Sequence, residues 1–323
     1  MFQIRTDLAM EAREMYQERA QEDSEIAGVK AENEQHGGVT VTRVQILDEN
    51  GAHTLGKPVG NYITLEMPEI GKRDPELIKT ATECLAQELR GMTPRTGASV
   101  LVVGLGNWNI TPDALGPKVS GGILVTRHLK EYMPEQFDEN VCGVCTIAPG
   151  VLGLTGIETN EIIKGVVRHV KPCAVIAIDA LASRRMDRVN TTIQLADTGI
   201  QPGAGVGNRR GALNKETLGV PVIAVGIPTV VDAATIASDA LDRLTEEIKR
   251  QSGEDSQIVR LLEGMEEKYD LIRQVLSPYN ENLIVTPKDM DVMLSDMSKL
   301  LASGINLALQ NDMTYEDILQ FQN

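Results

Sequence analysis

Two continuous apolar runs, each followed by an aspartate, are the clearest feature of the hydrophobic pattern. Residues 100–103 lead through Gly104 into a loop that contains Asp113, and residues 174–178 lead directly to Asp179. Uninterrupted runs of β-branched and aliphatic residues predict strands covered on both faces, as in a parallel sheet. Ligands of open α/β sheets bind beyond the carboxyl ends of such strands. The pattern therefore predicts that both aspartates lie at one edge of a sheet.

The rest of the pattern predicts strands that alternate with helices. Alternating polar and apolar positions at 39–47 and an apolar stretch at 62–66 predict a β-hairpin, with a turn at 48–51. Further strands are predicted at 141–147, 191–195 and 220–225, and helices at 8–19, 75–90, 115–132, 157–170, 230–250, 258–276 and 288–309. The glycine-rich segments 150–156 and 199–211 predict loops, the second bordering the site. This order predicts a three-layer α/β fold, with a mainly parallel central sheet flanked by helices and an added β-hairpin.

Composition describes a globular chain with an aliphatic core. The chain has 323 residues, of which 42% are hydrophobic but only 3% aromatic. The formal net charge of −15 disfavours direct binding to nucleic acid, which needs a basic surface. The first residues lack the apolar core of a signal peptide, and no apolar stretch reaches the roughly 18 residues of a membrane-spanning helix. We therefore expect a cytoplasmic protein without a membrane partner.

Cys142 and Cys145 form a C-x-x-C pattern, which in other contexts carries redox or metal chemistry. Such chemistry needs a helix N-terminus or a second pair of ligands. Here the pattern lies in an apolar segment predicted to be a strand, in which positions i and i+3 point to opposite faces. We interpret these two cysteines, and likewise Cys84 and Cys173, as buried reduced thiols.

Four longer motifs occur in order along the chain. They cover residues 102–118, 149–159, 176–182 and 225–232. Through these motifs the chain resembles the germination protease family of spore-forming bacteria, from about residue 5 to about residue 309. The resemblance implies an endopeptidase of an atypical aspartic type, with a fold similar to that of the hydrogenase maturation proteases. It also implies a homotetramer in the spore core, which starts the degradation of small acid-soluble spore proteins during germination.

The segment 6–12 reads Thr-Asp-Leu-Ala-Met-Glu-Ala and has its own meaning within this resemblance. Members of the family are made as zymogens that remove their own N-terminus at a sequence resembling their substrate sites. The resemblance implies a cut between Asp7 and Leu8, which makes residues 1–7 a propeptide and residues 8–323 a single α/β peptidase domain. By residue type alone, the same segment is an ordinary helix start with Thr6 or Asp7 as its N-cap.

Asp113 and Asp179 are the candidate catalytic residues. Two neighbouring carboxyl groups can share one proton, so that one acts as a base toward water while the other acts as an acid toward a peptide bond. In a purely structural role, each aspartate would cap a loop or join an ion pair. Asn107 and Thr111 are possible supporting residues that orient Asp113 or donate to an oxyanion. As ordinary turn residues, they would satisfy the loop backbone instead.

Two other functions remain open. The first is a metal-dependent maturation protease of another protein. The hydrogenase maturation proteases bind metal through two such acids and a later histidine. In this chain His36, His53, His128 and His169 all precede Asp179, so we predict no metal and no cofactor. Asp197 and Asp232 are alternative acids. The second is a non-catalytic binding protein on the same fold, in which Asp113 and Asp179 would lie far apart. No serine-hydrolase elbow, H-E-x-x-H motif or phosphate-binding loop is present.

Overall fold

The structure is a computed structural model that describes residues 6–20, 26–94, 99–133, 135, 141–201, 211–252, 268–276, 283–310 and 312–321. Within these ranges one sheet contains the strands β1 (Val29–His36), β2 (Val39–Ile46), β3 (Gly60–Glu66), β4 (Val100–Gly104), β5 (Val144–Ile147), β6 (Ala174–Ser183), β7 (Thr192–Ala196), β8 (Val222–Asp232) and β9 (Ile284–Val285). The strand order is β1-β2-β3-β7-β8-β6-β4-β5, and β9 pairs with β8.

Helices cover both faces of this sheet. They are α1 (Ala9–Ala20), α2 (Glu49–Leu55), α3 (Pro75–Met92), α4 (Leu115–Gly121), α5 (Arg127–Tyr132), α6 (Leu152–Thr155), α7 (Thr159–Val170), α8 (Lys215–Leu218), α9 (Ala233–Ser252), α10 (Lys268–Leu276), α11 (Met290–Leu309) and α12 (Tyr315–Phe321). Short 3₁₀ turns lie at Ile70–Lys72, Thr111–Asp113 and Met186–Arg188. No helix in the described part of the chain is long and apolar enough to cross a membrane.

Strands β5, β4, β6 and β8, at one end of this order, are parallel, which confirms the predicted α/β class. Each residue of β4 is buried because the strand has a helical layer on either side. Val100 and Val102 pack in the cluster formed with α3, α4 and α11, whereas Leu101 and Val103 pack with α7. This two-sided burial explains why the sequence of β4 is a continuous apolar run rather than an alternating one.

Strands β1, β2, β3 and β7 continue the sheet in antiparallel register. The predicted pairing of residues 39–47 with 62–66 is confirmed, since β2 and β3 are antiparallel neighbours. The predicted turn at 48–51 is wrong. It is the start of α2, where Oδ1 of Asp48 accepts a hydrogen bond from the Gly51 N–H at 2.9 Å. Asn50-Gly51 is thus part of a capped helix, and the aspartate before it carries the relevant signal.

Other elements differ from the prediction as well. The segment 115–132 contains two helices, α4 and α5, because its glycines at 121 and 122 interrupt it. Strand β8 continues to Asp232, past the predicted strand end at 225 and into the predicted helix 230–250. Strand β1, rich in charged residues, was not predicted at all. Most of the glycine-rich loop 199–211 and part of the predicted helix 258–276 lie outside the described residues.

Candidate active site

Asp179 lies where the sheet changes width. The sequence predicts Asp179 at the end of a strand, but in the structure it lies in the middle of β6. The neighbouring strand β4 ends opposite Ile178, where Gly104 is the last paired residue. Beyond that point, β6 has lost its neighbour on one side. Asp179 is therefore at the sheet edge that the pattern predicted, with 7% of its surface exposed, and its Oδ1 accepts a hydrogen bond from the Ala180 N–H at 3.0 Å.

Asp113 reaches the same edge from the loop that follows β4. The Asn107 N–H donates to the carbonyl oxygen of Asp113 at 2.9 Å, which closes this loop on itself. Gly106 has a φ of +115°, and a Cβ atom there would lie 2.0 Å from the same carbonyl oxygen. Only glycine permits both this backbone conformation and this close approach. The sequence Gly-Leu-Gly thus returns the chain toward the sheet and carries Asp113 back with it.

The two aspartates line one cavity of about 530 Å³. The cavity is open beyond the end of β4, and β6, β7 and β8 supply much of its wall. Its described lining also includes Asp7, Lys57 and Gln194. The structure therefore brings together Asp113, Asp179 and the first residue of the predicted cleavage site.

Asp7, in the segment before α1, lies against Ala182 of β6 at this cavity. The Asp7 N–H donates to the Ala182 carbonyl at 2.9 Å, and the Ala182 N–H donates to Oδ2 of Asp7 at 2.8 Å. These contacts use the edge of β6 beyond the end of β4. A peptide that adds to a free strand edge in this way is a common mode of peptide recognition.

The peptide group between Asp7 and Leu8 has hydrogen-bond partners at both ends. Its carbonyl oxygen accepts from Nζ of Lys57 at 3.0 Å and from Nε2 of Gln194 at 2.9 Å. Its N–H donates to Oγ1 of Thr6 at 3.0 Å. This peptide is consequently fixed in position, and side chains from elements distant in sequence hold its carbonyl oxygen.

The residues that follow this peptide are buried, and they anchor the chain on the C-terminal side of the Asp7–Leu8 bond. Leu8 and Ala9 are fully buried, Leu8 in a cluster with Met10 and Leu181. Glu11 is also buried, and its carboxylate accepts hydrogen bonds from two successive backbone N–H groups, those of Arg184 at 2.7 Å and Arg185 at 3.1 Å.

Buried Arg188 completes the anchoring of α1. Its guanidinium lies 3.2 Å from Glu11, 2.7 Å from Glu14 and 3.1 Å from Glu66, so it links α1 to β3. Burial acts to lower the pKa of Arg188, but the hydrogen bond to Glu14 and the attraction of the three carboxylates outweigh it, so the pKa is raised and the buried cation stays charged. The chain is thus anchored on both sides of the Asp7–Leu8 peptide.

Asn107 and Thr111 lie near the cavity, but neither is among its described lining residues. Oδ1 of Asn107 accepts from the Asn109 N–H at 3.0 Å, and the Ile110 N–H donates to the Asn107 carbonyl at 3.1 Å. Thr111 is exposed, and its carbonyl accepts from the Ala114 N–H at 3.2 Å. Both residues shape the loop that carries Asp113.

The alternative acids have structural partners outside the cavity. Asp197 accepts from the backbone and side-chain nitrogens of Asn61, at 2.8 and 2.6 Å. Oδ1 of Asp232 accepts from the Ala234 N–H at 2.8 Å, at the start of α9. The described cavity lining includes no histidine, and the described residues contain no group of three or more His, Cys, Asp or Glu placed to hold a metal ion. The third ligand of a carboxylate-histidine metal site is therefore missing from the described donor set.

The cysteines lie away from this cavity. None of the described lining residues is a cysteine, and no disulfide joins the four half-buried thiols. Burial raises the pKa of Cys142 to about 11, which keeps the thiol protonated at neutral pH. A protonated thiol is a poor nucleophile and a poor metal ligand.

Burial has opposite effects on the two charged groups beside the Asp7–Leu8 peptide. It raises the pKa of Asp7, although Lys57 and the Ala182 N–H act in the opposite direction. It lowers the pKa of Lys57, against the attraction of Asp7 and Glu11. In both cases burial is the largest cause, because leaving water penalises the charged form of each group.

The raised pKa of Asp7 predicts a pH-dependent stability of the unprocessed chain. A carboxyl group whose pKa is raised in the folded state stabilises that state at pH values below its unfolded pKa of about 4. This contribution is lost as the pH rises through the folded-state pKa.

Asp7→Asn keeps an oxygen acceptor for the Ala182 N–H but carries no charge. We therefore expect the melting temperature of Asp7→Asn, relative to wild type, to increase from pH 4 to pH 8, measured on chains shown intact by mass spectrometry. Asp74→Asn, at an exposed helix cap, is the control. Parallel pH curves for Asp7→Asn and wild type would contradict the expectation.

Lys57 and Gln194 are the residues that sequence reasoning missed. Gln194 had a signal, since it is the one strongly polar side chain in the buried strand β7, Thr192–Ala196. A buried amide in an apolar strand needs hydrogen-bond partners, and here they belong to another segment. Lys57 lies in the loop between α2 and β3, where a lysine is unremarkable by residue type.

A sheet edge that holds a bound peptide between strand, lysine and glutamine, with two carboxyl groups in the same cavity, defines the site of a candidate peptidase. Comparison with known proteins identifies the particular family. The germination protease family model matches residues 9–264 and 258–322. The chain therefore belongs to the germination protease family and is a peptidase.

Individual relatives match over nearly the whole chain. The germination protease of Caldanaerobacter subterraneus subsp. tengcongensis is 53% identical over 320 residues, which cover 98% of this chain and 97% of that protein. The germination protease of Clostridium tetani is 50% identical and covers 99% of both chains. That of Bacillus cereus is 44% identical, over 98% of this chain and 96% of that protein. The predicted family and the predicted peptidase activity are confirmed.

A solved structure of a hydrogenase maturation protease also matches. The [NiFe] hydrogenase maturation protease HycI from Thermococcus kodakarensis is 20% identical, with a TM-score of 0.28, over 44% of this chain and 80% of that one. A similarity this weak carries no argument about the site. The α/β class of this chain rests on its own sheet.

Proposed function

We propose that this germination protease processes itself by cutting between Asp7 and Leu8, and that Asp113 and Asp179 activate the attacking water. One observation carries the proposal. The Asp7–Leu8 peptide is seated in the cavity that both aspartates line, with its carbonyl oxygen held by two donors. A peptide anchored on both sides, in a cavity that two carboxyl groups line, is prepared for attack by water.

The proposed reaction balances as follows. The carboxylate of one aspartate takes a proton from water, and the oxygen of that water bonds to the carbonyl carbon of Asp7. The carbonyl oxygen becomes an oxyanion in a tetrahedral intermediate. When the carbonyl re-forms, the bond from this carbon to the Leu8 nitrogen breaks, and the proton held by the carboxyl pair passes to that nitrogen. A new carboxylate on Asp7 and a new amino terminus on Leu8 are the products.

The same site is proposed to act on other proteins after this first cut. In this proposal, residues 1–7 are a propeptide and residues 8–323 are a single peptidase domain, which assembles as a homotetramer in the cytoplasm of the spore core. Its substrates are small acid-soluble spore proteins. The family assignment supports these points, as does the sequence 6–12, which resembles the family's substrate sites. The net charge of −15 agrees with a protease whose partner is protein rather than nucleic acid.

Self-processing is tested by incubating the purified full-length chain and following its mass. We expect loss of residues 1–7, a new N-terminus at Leu8, and a first-order rate constant that does not change when the protein is diluted. The dilution test matters because the peptide bond is seated in the cavity of its own chain. Appearance of active protease with an intact N-terminus, or with a cut elsewhere, would contradict the proposed site. Full processing after exhaustive chelation would count against the metal-dependent alternative.

A further inference from the structure

We propose that Lys57 and Gln194 form the oxyanion-binding site of this peptidase, an inference that rests on the proposed cut between Asp7 and Leu8. Both side chains donate to the carbonyl oxygen of Asp7, which is the atom that becomes negatively charged when water adds to that carbon. The sequence marks Gln194 only as a polar residue in an apolar strand and does not mark Lys57. They meet only because α2, β3 and β7 converge on the N-terminal segment.

Both donors are held in place by the fold before any reaction occurs. Gln194 is in the middle of β7, which pairs with β3 on one side and β8 on the other, and only 7% of its surface is exposed. Lys57 follows the left-handed C-cap at Gly56 and lies just before β3. Its Nζ bridges two successive carbonyl oxygens, those of Thr6 at 3.1 Å and Asp7 at 3.0 Å. Donors that need no rearrangement during the reaction are the most effective at stabilising a developing charge.

The surroundings make the charge of Lys57 effective. Its ammonium group is enclosed together with the carboxyl of Asp7, and burial lowers the pKa of the lysine. Electrostatic attraction is stronger where water is excluded, so an ammonium group beside the oxygen gains most when that oxygen becomes an anion. The ground-state carbonyl has only a partial charge and gains less. The interaction therefore favours the transition state over the bound peptide.

Gln194 has a second contact that distinguishes its role from that of Lys57. Its Oε1 accepts from the Ala9 N–H at 2.7 Å while its Nε2 donates to the Asp7 carbonyl. In the reverse amide orientation, Nε2 would face the Ala9 N–H and Oε1 would face the Asp7 carbonyl oxygen. Neither pair can form a hydrogen bond, so the contacts determine the orientation. One side chain thus binds the main chain on both sides of Leu8. We infer that Gln194 also positions the peptide, whereas Lys57 acts mainly on the charge.

The test distinguishes an effect of Lys57 on the rate of peptide cleavage from an effect on how firmly the N-terminal segment is bound. Lys57→Met keeps the length and apolar stem of the side chain but removes the ammonium group. We expect its first-order rate constant for self-processing to fall about 10²- to 10³-fold, the loss found when an oxyanion donor is removed. In an Asp113→Asn background, which keeps the chain uncut, hydrogen exchange at the Asp7 and Ala9 amides should remain within about threefold of the same background with Lys57, because the Ala182 and Gln194 contacts remain.

Lys57→Arg and a surface lysine supply the controls. Lys57→Arg retains a cation, so we expect partial activity and an alkaline fall of the rate that moves to higher pH than in wild type. Lys30→Met removes an exposed lysine of β1 that pairs with Glu32 at 2.7 Å, and should process at the wild-type rate. For Gln194→Met we expect both a slower rate and weaker protection of the Ala9 amide.

Each other outcome overturns the inference without affecting the proposed function. Lys57→Met could process itself at the wild-type rate while Asp113→Asn remains uncut. In that case water activation by Asp113 is retained, but Lys57 is not an oxyanion donor. If Lys57→Met loses amide protection in parallel with its rate, the lysine only holds the segment in place. An unmoved alkaline limb in Lys57→Arg also counts against the lysine. Normal processing by Asp113→Asn, by contrast, removes the proposed function itself.

Discussion

Asp179→Asn is expected to stop self-processing, and Asp113→Asn is expected to do the same. Asparagine has nearly the same shape as aspartate and still accepts hydrogen bonds, so the Ala180 N–H keeps its partner at position 179. It cannot take a proton from water or give one to an amine. Loss of positioned acid-base catalysis lowers rates by about 10²- to 10⁴-fold. We expect a fall of about 10³-fold or more in each variant, measured as the first-order loss of residues 1–7 by mass spectrometry.

The double variant distinguishes a shared role from two separate ones. If the two carboxyl groups act on the same water molecule, removing the second should add little to the loss caused by the first, because residues that act as a unit are strongly non-additive. Asp197→Asn is a matched control, since Asp197 is an exposed aspartate just after β7 that binds Asn61. It should process normally. Full activity in either single catalytic variant, with unchanged melting temperature, would contradict the two-aspartate mechanism.

The parallel half of the fold could be predicted because its signals are local. The continuous apolar run of β4 and the run that enters β6 follow from burial on both faces, and the loop with Asp113 follows from Gly104 and Gly106. The convergence of Asp113 and Asp179 required one further assumption, that the two strands are neighbours. The pairing of β4 with β6 meets that assumption.

The exact place of Asp179 within its strand was not predictable from the same signals. A polar residue after an apolar run normally indicates the end of a strand. Here β6 continues to Ser183 because β8 pairs with it past the point where β4 ends. The length of a strand depends on the neighbouring strand, and the sequence of the strand itself carries no information about that neighbour. This overhang has a consequence for function, because it leaves the strand edge at Ala182 available to the Asp7 backbone.

The contacts of Lys57 and Gln194 with the Asp7 carbonyl were beyond prediction for a related reason. Gln194 is 187 residues from Asp7 and Lys57 is 50 residues from it, and neither pair is suggested by spacing or periodicity. The N-terminal segment itself was assigned only through the family resemblance. By residue type it is a helix start, and α1 does begin at Ala9. The contact of Asp7 with Ala182 of β6, just before that helix, is what brings this peptide to the cavity that the two carboxyl groups line.

Among substitutions that remove no chemical group, Gly116→Ala is expected to cause the largest loss of stability and of processing activity. A Cβ atom on Gly116 would lie 2.2 Å from the Leu105 carbonyl oxygen and 2.4 Å from the Leu105 nitrogen. These are backbone atoms at the end of β4, so no side-chain rotation can relieve the clash. Strand β4 and helix α4 would have to separate, and we expect a loss of about 3 kcal/mol in the free energy of unfolding.

Activity should fall further than stability explains, because Asp113 lies only three residues before Gly116. Movement of α4 away from the sheet moves this loop relative to Asp179, and a displacement of about 1 Å at a catalytic group can lower a rate about 10²-fold. Gly121→Ala is the matched control on the same helix, since no atom lies within 4 Å of the Cβ position there. Its alanine should leave processing unchanged and alter stability by less than about 1 kcal/mol. Urea unfolding and the processing rate, measured at a temperature where both variants are folded, check the two expectations. Equal behaviour of the two alanine variants would show that close packing of β4 against α4 does not position Asp113.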